Sequence, residues 1–121
     1  GPSRRMSRRL KTYLRAFRKR TGLTQAEVAF LFGWQGSKGI TRHEWALREP
    51  VLRTVLAYEV LFGAAASELF AGVYDEVELA IIERAHVLHE RLEVSDPSPQ
   101  VERKLATLRR IMDGPGSAPS Q

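Results

Sequence analysis

Residues 14–33 read LRAFRKRTGLTQAEVAFLFG, and residues 40–50 read ITRHEWALREP. These two runs set the fold class. Across the start of the first, Leu10 and Tyr13 just before it and Leu14 and Phe17 within it fall on one helical stripe among basic residues, and Gly22 supplies a left-handed stop. Thr24 then stands three residues before Glu27, the pattern of a capping box. Val28, Ala29, Leu31 and Phe32 form the apolar face of a second short helix that closes at Gly33. GWQGSKG follows, with three glycines in seven residues, and reads as a turn. A third helix over residues 37–47 stops before Pro50.

Working outward, the first helix spans about 8–21, a fourth spans 51–62 and ends at Gly63, and a short fifth covers 67–70. A sixth over 74–92 carries Val77, Ala80, Ile81, Ala85, Leu88 and Leu92 at spacings of three and four, under an acidic surface. VSDPSP interrupts it. A seventh over 99–112 aligns Val101, Leu105, Leu108 and Met112. Strict apolar/polar alternation persists nowhere, so strands are not expected. The reading is all-α. It gives a basic arm at 1–9, a five-helix domain at 10–72, a two-helix extension at 73–113 and a disordered tail at 114–121. Gly1-Pro2 is the kind of dipeptide left by removal of an affinity tag.

Composition narrows the function. The chain has 121 residues, no cysteine and a net charge of +5. Disulfide scaffolds, thiol catalysis and cysteine-type zinc sites are therefore excluded. No apolar run approaches the length of a membrane span, and the basic start has no apolar stretch behind it, so no secretory signal is expected. Charge is strongly asymmetric. Thirteen Lys and Arg face three acids through Arg53, whereas six face eleven afterwards. One half is built for a polyanion and the other is not. Two short helices joined by a Gly-containing turn inside the basic half suggest a helix-turn-helix that puts its second helix into the major groove.

The same residues resemble the Cro/repressor, or xenobiotic-response-element, helix-turn-helix family. The resemblance covers residues 10–70 and rests on Leu14, Arg15, Arg18, Gly22, Leu23, Thr24, Gln25, Glu27, Ala29, Gly33, Ile40, Glu44 and Pro50. Val28 and Thr41 are conservative replacements. The chain departs from the pattern in a turn one residue longer, near Trp34-Gln35, and in Ala46 where a glycine is common.

What the resemblance implies is a repressor-like domain acting as a transcriptional regulator, with no enzymatic activity and no cofactor. Base reading is expected from Ser37, Lys38, Thr41 and Arg42. Arg42 lies one turn beyond Lys38 and is the leading candidate for bidentate guanine recognition. Phosphate contacts are expected from Thr24, Gln25, Gln35 and the arm residues Arg4, Arg5, Arg8 and Arg9. The arm's other reading is a solubilising tail. Gln25 is also expected to brace the reading helix, and Arg18 and Glu44 to form a buried ion pair with a structural role. Gly36 and Gly39 each cost about 1 kcal/mol in a helix, and close backbone approach to DNA is one compensation.

Partners are expected to be a double-stranded operator and a second copy of the chain. The candidate dimer or partner interface comprises Ile81, Ala85, Leu88, Leu92, Leu105, Leu108 and Met112. A repressor binding a palindromic site as a homodimer in the bacterial cytoplasm is the favoured reading. The alternative is an antitoxin or anti-activator whose C-terminal helices hold another protein. Trp34 and Trp45 are read as half-buried core edges rather than stacking platforms, and His43 as inward-packed. His86 and His89 lie three apart near Glu83, Glu90 and Glu93 without a third firm ligand, so a metal site is not expected. No acid pair, nucleophile or Gly-rich phosphate loop stands out.

Overall fold

The computed structural model describes residues 9–114. Among the described residues there are α-helices and no strands: α1 Leu14–Thr21, α2 Gln25–Leu31, α3 Lys38–Glu44, α4 Leu52–Phe62, α5 Ala66–Leu69, α6 Ala71–Glu93 and α7 Pro99–Asp113. The chain divides into two compact units, and the boundary falls after Asp75, inside α6. No helix among the described residues is long and apolar enough to cross a membrane. The arm residues Arg4, Arg5 and Arg8, and most of the expected tail, lie outside the described residues.

In the first unit every helix from α1 to α5 gives one or two side chains to a single core. Leu14, Val28, Ala29, Ile40, Tyr58 and Leu69 are buried, and Phe17, Leu23, Phe32, Trp34, Leu61, Phe62 and Phe70 pack around them. Tyr58 is the hub. Its ring meets Phe32 edge-on at 4.9 Å between centroids, stacks with Phe62 at 6.1 Å and meets Phe70 at 6.2 Å. Such offset and edge-on pairs add to the burial of area. α4 has apolar residues on both sides. Tyr58 faces the core while Leu52, Leu56 and Val60 stay exposed.

Local signals explain most boundaries. Thr24 accepts from the Glu27 amide at 3.0 Å while Glu27 accepts from the Thr24 amide at 2.9 Å, so both ends of the capping box are made. Gly22 sits at φ +82° and donates to the Lys19 carbonyl, which ends α1 in the left-handed cap. α1 starts six residues later than periodicity predicts. The chain before it is held by other partners. Gly72 donates to the Leu10 carbonyl at 2.7 Å, Leu10 donates to the Tyr13 hydroxyl and Tyr13 donates to the Leu69 carbonyl at 2.8 Å. A Cβ on Gly72 would lie 2.5 Å from the Leu10 carbonyl oxygen, so only glycine lets the two backbones meet.

α3 is shorter than the expected 37–47. It ends at Glu44, and Ala46 adopts φ +58°. Residue 47 then donates back to the Arg42 carbonyl at 2.8 Å. Ala46 thus carries backbone strain, a left-handed residue with a Cβ costing roughly 1–2 kcal/mol.

The second unit contains the rest of α6 and α7. Ser98 caps α7 by accepting from the Val101 amide, and Pro99 occupies the first turn, where its missing N–H is harmless. Ala85, Leu105 and Leu108 are buried, Ile82, His89, Leu92 and Met112 are half-buried, and Val77, Ile81 and Leu88 are exposed. The expected interface residues therefore separate. Ala85, Leu105 and Leu108 are already covered in the single chain, while Ile81 and Leu88 are not.

Candidate functional site

The site grows from one buried carboxylate. Glu44 ends α3, and its side chain is 1% exposed. Arg18 on α1 donates through Nε to Glu44 Oε2 at 2.5 Å and through Nη2 to Oε1 at 3.1 Å. Its remaining Nη1 donates to the Leu23 carbonyl at 3.0 Å. The planar guanidinium meets the carboxylate as a fork, a geometry lysine cannot reproduce. Hydrogen bonding to Glu44 raises the Arg18 pKa further, so the guanidinium stays charged.

Gln25 extends this network to α2. Its Nε2 donates to Glu44 Oε1 at 3.0 Å, and its Oε1 accepts from the Thr41 hydroxyl at 2.9 Å. The Thr41 hydroxyl also lies 3.3 Å from the Ser37 carbonyl. A continuous polar relay thus runs Arg18–Glu44–Gln25–Thr41 and ties α1, α2 and α3 together. Gln25 and Thr41 were expected at phosphate and base. Their side chains brace α3, as the resemblance implied for Gln25, and the Thr41 hydroxyl proton is committed to Gln25. Thr24 is likewise occupied in the capping box.

The outer face of α3 differs. Lys38 and Arg42 are exposed, one turn apart, and neither has an ion-pair partner among the described residues. Gln35 is exposed and Ser37 half-buried at the helix start. An open groove lined by Arg18, Lys19, Leu23, Thr24, Gln25 and Ser37 adjoins them. Exposed Lys19 and Arg20 continue the positive surface along α1, and Arg15 lies over the Trp45 ring at 5.4 Å. Arg9, like Thr24 and Gln25, is held by a partner within the chain. Its guanidinium donates to both carboxylate oxygens of Asp75, through Nε at 2.9 Å.

Two residues have roles that spacing did not show. A Cβ on Gly39 would lie 2.8 Å from the Trp34 ring, and that ring is held by Phe32 at 5.4 Å and His43 at 6.0 Å. Packing of Trp34 against α3 accounts for this glycine without any DNA contact, whereas Gly36 faces open space. Trp34 is the half-buried core edge expected, but Trp45 is exposed. Asp75 gave no advance signal, because its partner lies sixty-six residues earlier.

His43 is buried behind α3, with Nδ1 3.0 Å from the Tyr58 hydroxyl. Burial, reinforced by the nearby Arg48 charge, lowers its pKa from 6.5. The unfolded chain therefore binds the proton more readily than the folded one. Stability present above about pH 6.5 is expected to fall as pH drops toward 5. Melting temperatures at pH 7.5 and 5.5 check this, and His43→Gln is expected to flatten the difference. Among the described residues no group of three His, Cys, Asp or Glu could hold a metal ion.

No protein-family model, curated protein or solved structure matches this chain.

Proposed function

We propose that this chain is a sequence-specific, double-stranded-DNA-binding transcriptional regulator of the Cro/repressor helix-turn-helix type. Residues 10–72 form the five-helix DNA-binding domain, and α2 and α3 are the helix-turn-helix pair. One observation carries the reading. Lys38 and Arg42 stand exposed and unpaired on the outer face of a helix whose inner face is fixed by a buried polar relay. A reading helix needs both properties, since free donors must meet base edges at a fixed register.

Ser37, Lys38 and Arg42 supply base contacts, with Arg42 bidentate to a guanine. Thr41 offers its methyl to a thymine. Gln35, Lys19 and the arm meet phosphates, which makes affinity fall steeply with salt. The operator is a palindrome bound by two copies, with reading helices roughly 34 Å apart. Exposed Ile81 and Leu88 on α6 support a pairing surface in the second unit. Repression follows from occupancy of the operator.

Selection of binding sites from random duplexes at stated salt tests the proposal. A symmetric consensus with two half-sites supports it, and absence of any enriched sequence overturns it. Arg42→Ala is expected to weaken operator binding by about 1–3 kcal/mol and to relax a single base position. A uniform loss on all sequences reassigns Arg42 to phosphate.

A further inference from the structure

A second concave site lies in the first unit, on the side of α3 that faces away from Lys38 and Arg42. It is a cleft of about 50 Å³ bounded by Lys11, His43, Arg48, Glu49, Phe70 and Val73, among others. A water molecule needs roughly 10–15 Å³ of such space, so the cleft takes a ligand of about four non-hydrogen atoms.

Part of its polar lining is uncommitted. His43 is buried, yet the only hydrogen bond of its ring among the described residues joins Nδ1 to the Tyr58 hydroxyl. Nε2 has no partner among the described residues. It is not sealed either, since among the described residues His89 Nε2 is the one buried side-chain nitrogen without a partner. The Tyr58 hydroxyl also has His43 as its sole partner, so both groups are satisfied when the phenol donates to Nδ1. Burial and the nearby Glu44 charge push the Tyr58 pKa up, which keeps that proton on the oxygen. A neutral imidazole accepting at Nδ1 carries its own proton on Nε2, and His43 is one of the residues that line the cleft.

Lys11 and Arg48 flank this donor, and neither forms an ion pair among the described residues. Glu49, also unpaired, leaves the lining one charge positive. Phe70 and Val73 supply an apolar wall.

We infer that this cleft is a binding site for a small carboxylate, held by the His43 Nε2–H with Lys11 and Arg48 as counter-charges and its alkyl end against Phe70 and Val73. The occupant touches both the lead-in to α1 and the segment leaving α3, so it clamps the C-terminal end of α3. The inference does not depend on the DNA-binding proposal.

Acetate is the probe, titrated against chloride at constant ionic strength and pH 7.5 into the isotopically labelled full chain. His43 ring resonances and melting temperature are the readouts. Expected results are a protonated Nε2 in the free protein and a saturable shift of the His43 ring with acetate alone. The melting temperature rises with it. In Arg48→Gln and in Lys11→Gln, both changes at exposed positions, the acetate midpoint moves up at least tenfold. Equal responses to acetate and chloride overturn the site, as does wild-type acetate binding in both variants. So does an Nε2 without its proton.

Discussion

Glu44→Ala is expected to destabilise the first unit by about 3–5 kcal/mol, the cost of leaving a buried charge without its partner. Arg18 loses both Glu44 oxygens and keeps only the Leu23 carbonyl, Gln25 loses one acceptor, and the Arg18 side chain is only 13% exposed. A loss of that size is comparable to the whole stability of many small domains. Urea unfolding checks it, with a lower midpoint at unchanged slope. The paired replacement Arg18→Met with Glu44→Leu separates two explanations. If charge burial dominates, the double variant recovers much of the loss, because an apolar pair of similar volume has no charge to desolvate. A single substitution costing under about 1 kcal/mol contradicts the buried-charge account.

Tyr58→Ala is expected to cost about 3–5 kcal/mol, since it opens a cavity where Phe32, Phe62, Phe70 and His43 converge. Tyr58→Phe isolates the hydroxyl. It leaves His43 Nδ1 without its donor and is expected to cost about 1–3 kcal/mol while the ring contacts survive. Thermal or urea unfolding of the two variants side by side checks both figures. Equal losses would mean that the hydrogen bond, not the ring, holds the core at this point.

These two sites show what could be read in advance. Local chemistry was legible. Thr24 and Glu27 announce a helix start, Gly22 and Gly63 announce stops, and the apolar residues at spacings of three and four imply helices throughout. The pairing of Arg18 with Glu44 followed from resemblance rather than from spacing, as the two are twenty-six residues apart. Long-range geometry was not legible. The resemblance implied that Gln25 braces the reading helix, but nothing in its neighbours says that its donor goes to Glu44 and its acceptor to Thr41, leaving neither for a phosphate. Gly39 looked like a concession to DNA, and only the position of the Trp34 ring supplies the other reason.

On α6 apolar residues occupy more than one side, so periodicity could not decide which side is covered. Ala85 is buried, whereas Ile81 and Leu88, on the same predicted stripe, remain exposed. The late start of α1 has a similar origin. Residues 9–13 have helical spacing, but Gly72, Leu69 and Asp75 capture their backbone and Arg9 from far along the chain.

That capture has a practical corollary for labelled protein. With Leu10 moored to Gly72 and Arg9 to Asp75, anything grafted ahead of residue 9 departs from a fixed berth on the first unit. A fluorophore or spin probe on the exposed side chain of residue 10 reports the bearing of that unit itself.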